Sequence, residues 1–260
     1  MAPTHEWRSV AIPREHGGWG LTLEPVLLGL LVAWSLPGLL LGVAAFGAFL
    51  LRTPLKLAAV DMRRRQWRSR STLAARIAAV ELMVVVTAVA GVVVSSGWRW
   101  ALPVVVAAPL VFVEGWYDVR SRSRRLVPEL SGAVGISATA AAIVLADRDD
   151  VALAGALWLV LAARSVGSIP FVRAQIARLH RGATGVHGSD LAQFAAVVVA
   201  AIAAIVDTRA IAGAVTIALI AAIQIVWSRR PIPPIKVVGF QQMALGLALV
   251  AATAIGVHLA

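Results

Sequence analysis

Apolar residues run along this chain in unbroken stretches, at roughly 17–34, 36–52, 75–95, 101–117, 128–146, 151–170, 190–206, 210–227 and 235–259, each bounded by Pro, Gly or charge. A hydrocarbon layer about 30 Å thick takes about 20 such residues per helical crossing. A membrane β-barrel requires alternation of apolar and polar positions, and runs such as Val84-Val85-Val86 and Val104-Val105-Val106 show none. The pattern predicts an all-α polytopic bundle of about nine transmembrane helices, folded as one integral membrane domain over residues 1–260.

Charge orients that bundle. With the amino terminus inside, Arg8, Arg14, the basic residues from Arg52 to Arg76, Arg120 to Arg125, Arg164 to Arg181, and Arg229, Arg230 and Lys236 all belong to the cytoplasmic side. Together they are 21 of the 24 Lys and Arg. Arg99, Arg148 and Arg209 fall outside, next to Asp147, Asp149, Asp150 and Asp207. Such segregation is the positive-inside pattern, and adding or losing a helix would scramble it. The outer connections near 35–37, 96–100, 147–150 and 207–209 read as tight turns, and the inner ones at 53–74, 118–127 and 171–189 as longer polar loops. The helices are therefore expected to pair as outward hairpins 1–2, 3–4, 5–6 and 7–8, with helix 9 alone and the carboxyl terminus outside. Because loops held by a rigid scaffold carry function, the cytoplasmic mouth is the expected site.

Composition strengthens the class and narrows the partners. The chain is 60% hydrophobic, against roughly 45 to 50% in soluble domains, so no room remains for a separate soluble domain. The net charge of +11 is read as topology, with no nucleic-acid partner. There is no cysteine, which excludes disulfides, thiolate catalysis and iron–sulfur ligation. The first residues carry Glu6 and Glu15 and lack a small-residue cleavage site, so they are read as retained, in the bacterial cytoplasmic (inner) membrane.

Charged groups at bilayer depth cost about 2.5–3.5 kcal/mol on insertion scales unless they pair or face water, so they need a reason. In Pro13-Arg14-Glu15-His16-Gly17-Gly18-Trp19, Glu15 and His16 are candidate proton donors or ligands. Glu24 is too deep to reach water easily. Arg52 and Lys56 share a face if helical, unless Pro54 breaks the helix, and Asp61 follows with the basic stretch to Arg70. This suits an anionic headgroup. Glu114, Asp118, Ser121 and Arg125 align on a continuing helix around Tyr117 and Arg120, and Glu129 follows Pro128 at a helix start. Arg164, Ser168, Phe171 and Gln175 share a face unless Pro170 bends it, with Arg173 beyond, and Gln241 and Gln242 either complete a polar cavity or bond between helices. The histidines form no metal-binding or haem-binding pattern.

The segments Pro13 to Trp19, Arg52-x-Pro54-x-Lys56, Tyr117-Asp118-x-Arg120-Ser121-x-Ser123-Arg124 followed by Pro128-Glu129-Leu130-Ser131-Gly132, and Arg164-Ser165-x-x-Ser168-Ile169-Pro170-x-x-Arg173 together resemble the YwiC-like family of bacterial membrane proteins. That resemblance implies no particular reaction. More distantly, nine helices with large cytoplasmic loops after helices 2, 4 and 6 look like the UbiA type of intramembrane prenyltransferase. That likeness implies Asp-rich magnesium motifs after helices 2 and 6 and a Tyr-led basic segment after helix 4. Tyr117 to Pro128 is similar to the latter, whereas the first motif position offers one carboxylate, Asp61, and 164–181 offers none. Arg and Lys bind the same anionic charge without metal. The expectation is an anion site with Arg52, Lys56, Arg164 and Arg173 as clamps, assisted by Asp61, Tyr117, Arg120 and Ser168. Glu15, His16, Asp118 and Glu129 would handle protons or orient the arginines. No cofactor is expected, and the missing carboxylates argue against magnesium. The expected partner is a membrane lipid or isoprenoid-like anion. Divergent lipid-linked transfer, transport and a non-catalytic partner subunit are the functional classes in play.

Overall fold

The computed structural model describes residues 7, 10–11, 16–120, 125–182 and 185–260. Within them the chain forms nine successive helices: α1 His16–Val32, α2 Leu36–Arg63, α3 Ser69–Ser96, α4 Ala101–Val119, α5 Leu126–Asp147, α6 Val151–Arg181, α7 His187–Val206, α8 Ile211–Trp227 after a 3₁₀ turn Thr208–Ala210, and α9 Ile235–Leu259. Eight are long and apolar enough to cross a membrane, counting the 3₁₀ turn with α8. The ninth, α1, is shorter at 17 residues. The all-helical, multi-pass membrane architecture expected from the apolar stretches is the one observed.

The structure differs from the sequence reading at the inner ends of the helices. Residues 53–63 and 171–181 are helix, because Pro54 and Pro170 sit inside α2 and α6 without ending them. Proline is tolerated inside membrane helices where neighbouring groups satisfy the freed carbonyl. The inner connections are therefore short. Gly182 ends α6 in the left-handed conformation at φ 63°, where a side chain would be strained. The helices consequently pair as inward hairpins α2–α3, α4–α5 and α6–α7. α5–α6, α7–α8 and the lightly packed α1–α2 keep the expected outward pairing, whereas α3 and α4 do not pack side by side. Finally, α4 stops at Val119 with Arg120 as its cap, and Arg125 caps α5 instead, so the helical face drawn from Glu114 through Ser121 to Arg125 is interrupted; Ser121 itself lies outside the described residues.

Lipid tails are as apolar as leucine, so helices associate in a bilayer by close packing of small residues. α5 supplies them: Gly132, Ala133, Gly135, Ser137, Ala138 and the run Ala140-Ala141-Ala142 are buried. This helix packs against α1, α2, α4 and α6, and its Ile143 lies against both Gly29 and Gly38, where an added Cβ would clash. α6 is equally enclosed, whereas α3 and α4 form the periphery and show most of their apolar side chains to the surroundings.

Polar contacts stitch the two ends. At the outer end, Arg209 Nη2 donates to Asp150 at 2.6 Å and to Asp207 at 2.5 Å, and Arg99 pairs with Asp149. Arg148 donates to the Val32 carbonyl at 2.8 Å, and His258 lies 2.8 Å from the Leu31 carbonyl. These contacts place the ends of α1 and α9 beside the turns 97–100, 148–150 and 207–210. The three arginines assigned to the outside thus share one face with their aspartates. At the opposite end Arg173 meets Glu129 at 2.7 Å and Arg229 meets Asp190 at 2.7 Å.

Hydrogen bonds from Arg209 hold the Asp207 carboxyl below the usual carboxylate range. A depressed carboxylate stabilises the fold above its unfolded value near 3.9 and loses that contribution as pH falls through the lower folded value. Asp207→Asn is therefore expected to cost about 1–3 kcal/mol at neutral pH. The difference from wild type should vanish in acid, as read from thermal unfolding in detergent at stepped pH.

Candidate functional site

Two polar assemblies lie between the helices, and the sequence-predicted residues divide between them. The first is at the inner rim. Arg52 and Lys56 stand one turn apart on the unbroken α2 and converge on Asp118 of α4, Arg52 Nε at 2.6 Å from Oδ2 and Lys56 Nζ at 3.3 Å from Oδ1. Arg52 Nη1 also reaches Glu114 at 2.9 Å. Asp118 is buried, and Glu114 rests on the bare backbone of Gly132 in α5, in space a Cβ would occupy. Each cation here therefore has a carboxylate facing it.

The remaining candidates at this end are dispersed. Asp61 accepts a hydrogen bond from Ser71 Oγ at 2.7 Å, tying the end of α2 to the start of α3. Arg120 stacks its guanidinium 3.4 Å from the centre of the Trp116 ring. Tyr117 is half-buried. Arg173 and Glu129 join α6 to α5. Glu15 lies outside the described residues, and His16 opens α1. Among the described residues no three His, Asp or Glu side chains converge as a metal site.

The second assembly is deeper. Arg164, 4% exposed, sits inside the bundle on α6. Its Nη1 donates to Gln242 Oε1 at 3.0 Å and its Nη2 to the Gln242 carbonyl at 2.6 Å, so both arms of the fork are held by α9. Its Nε faces Glu24 Oε2 of α1 at 3.9 Å, an ion pair without a hydrogen bond. The Glu24 carboxylate lies against Gly246 of α9, where any side chain would collide with it. From Gln242 a relay of amides runs outward: Gln224 Nε2 donates to Gln242 Oε1 at 3.0 Å, and Gln193 Nε2 donates to Gln224 Oε1 at 2.8 Å and to the Gly167 carbonyl at 2.9 Å. Five helices, α1, α6, α7, α8 and α9, thus meet through one polar chain.

A cleft of about 190 Å³ opens below it at the basic end, lined by Phe171, Gln175, Trp227, Arg230, Pro231, Pro233, Val238 and Gln241. Arg164, Ser168, Phe171 and Gln175 occupy one face of α6 as the spacing predicted, all buried. Phe171 lies seven residues from Arg164, about 10 Å along the helix. On α9, Val238 and Gln242 are one turn apart. The two helices that wall the cleft, α6 and α9, thus also carry Arg164 and Gln242 further along their length.

Of the four expected clamps, Arg52 and Lys56 come together, while Arg164 and Arg173 belong to other contacts; α5 stands between α2 and α6. Glu24 was visible in the sequence as an acid too deep for water. Gln193 and Gln224, each a lone amide in an apolar run, answer to the same depth test. Trp227 and Arg230 carry no comparable signal, since an aromatic and a cation at a helix end also read as ordinary interface anchors.

No curated protein and no solved structure matches the chain. The model of the YwiC-like protein family matches residues 12–144, just over half of the chain, a span that contains Glu24, the Arg52–Asp118 rim and Gly132. Matching sequence, an all-helical membrane architecture and the clustered polar motifs agree: the chain belongs to the YwiC-like protein family.

Proposed function

We propose that this protein lies in the bacterial cytoplasmic membrane and binds a phosphate-headed amphiphile, prenyl or glycerolipid, in the cleft between α6, α8 and α9. The observation that carries the reading is the make-up of that cleft. Phe171, Trp227 and Val238 offer an apolar wall for a chain, Arg230 offers a permanent cation at the basic mouth, and Gln175 and Gln241 offer neutral amide groups. The cleft opens on the side where the positive-inside pattern puts the cytoplasm, and α6, which supplies Phe171 and Gln175 to it, carries a second guanidinium, Arg164, about 10 Å further along the helix. Arg52, Lys56 and Arg173 take a different part in this reading. Their charge is matched by Glu114, Asp118 and Glu129, so they close the cytoplasmic rim. The nine-helix count and the cytoplasmic placement of the cleft are what support a UbiA-like arrangement.

Two outcomes follow. Native mass spectrometry of the protein extracted in mild detergent should show a co-purified phosphate-headed lipid, with its mass distinguishing isoprenoid from glycerolipid. Arg230→Ala should reduce occupancy about tenfold, the worth of one charge-assisted hydrogen bond. An unchanged lipid profile in Arg230→Ala and in the cleft-narrowing Val238→Phe variant would sink the reading. For the rim, Asp118→Asn should lower stability by about 1–3 kcal/mol. Combined with Arg52→Gln it should cost clearly less than the sum of the two, as measured by thermal unfolding of the single and double variants.

A further inference from the structure

We propose that the Glu24–Arg164–Gln242 cluster is the head-group subsite of the cleft and that an anion bound there brings one proton with it, taken up by Glu24. The inference rests on the amphiphile-binding reading and adds the place and charge balance of the bound head.

The direction of the amide relay exposes the subsite. Arginine has no acceptor, so Gln242 must turn Oε1 towards Arg164. Gln224 donates to the same oxygen, and Gln193 donates in turn to Gln224. That polarity leaves Gln242 Nε2 as a donor with no acceptor among the described residues, and Arg164 Nε is in the same position. Both atoms are buried, and a buried donor left unmade costs about 1–3 kcal/mol. Two unmet donors on side chains already bonded to each other call for one small acceptor. An oxyanion supplies it.

Charge decides what accompanies the oxyanion. Arg164 is the one charged group of the described residues within 4.0 Å of Glu24. Of the helices packed against α1, α9 presents the neutral Gln242 and Gly246. On α2 and α5, Arg52, Lys56 and Glu129 are engaged by Glu114, Asp118 and Arg173. In this proposal the resting site is neutral, a Glu24 carboxylate facing the Arg164 guanidinium. A monoanion added there would leave one uncompensated negative charge in a low-dielectric interior beside a like-charged carboxylate, which cannot both stay ionised. A proton from cytoplasmic water on Glu24 restores neutrality and turns its oxygen into a third donor to the anion. Gly246 keeps the carboxylate in place for that role.

The test uses full-length protein in maltoside micelles, which carry no phosphate, and dioctanoyl phosphatidylglycerol as probe, a phosphodiester that keeps one negative charge across the range studied. Calorimetric titration in buffers of different ionisation enthalpy counts protons. Wild type is expected to take up one proton per probe bound, with Kd rising about tenfold per pH unit above neutrality. The isosteric Glu24→Gln should keep binding, take up none and lose the pH dependence, while Arg164→Gln should bind at least about tenfold more weakly. Wild-type binding without proton uptake, or uptake that persists in Glu24→Gln, overturns the coupling and leaves the amphiphile reading standing. Absence of any wild-type binding overturns both.

Discussion

Arg164 governs how half of this bundle is put together. A guanidinium that never loses its proton sits almost fully enclosed among membrane helices, where protein groups meet its two terminal nitrogens and leave Nε unbonded. α9 supplies a side-chain oxygen and a backbone carbonyl as acceptors, and α1 sets a carboxylate at ion-pair distance. α8 and α7 are then drawn in through the amides that Gln242 orients. An interior of leucines in place of this chain would pack, but with nothing to choose one helix register over another. A polar group that can be satisfied in only one arrangement is a device for specifying that arrangement.

The other half is held by different means. Most of the buried face of α5 is small, with Ile143, Val144 and Leu145 near its end, and its alanines and glycines let α1, α2, α4 and α6 approach closely. Two of the carboxylates between the helices exploit the same resource. Glu24 lies on Gly246 and Glu114 on Gly132, so that each acid is confined by a backbone with no Cβ to displace it. Small residues here serve packing and also fix the position of charge, which ties the scaffold directly to the chemistry of the interior.

The ends of the molecule divide the work of its many arginines. On the outer face a few arginines and aspartates pair across turns and bring the termini of α1 and α9 against the loops. On the basic face the pairs Arg52–Asp118, Arg173–Glu129 and Arg229–Asp190 close neighbouring helices onto one another. The cleft lies between α6 and the α8–α9 connection, where Arg230 stands beside Trp227 and two prolines that keep the segment extended. Basic charge in this chain therefore has three parts to play: orientation, rim pairing and the lining of an opening.

How much of this was legible beforehand follows from the range of the forces involved. Helix number and the gathering of most basic residues at one end are properties of local hydropathy and of charge summed over segments, and the sequence alone determined them. Segment lengths at the inner ends were misread because proline and polar residues mark a loop locally, while the helix through Pro54 and Pro170 is sustained by neighbours that only the fold supplies. The same holds for the pairing of hairpins and the partners of each charge. Glu24, Arg164 and Gln242 are scattered over most of the chain, and each alone reads only as a polar residue too deep for water. Tertiary structure decided that they answer one another, because in hydrocarbon a buried charge is tolerable only where the packing of distant helices places its complement within reach.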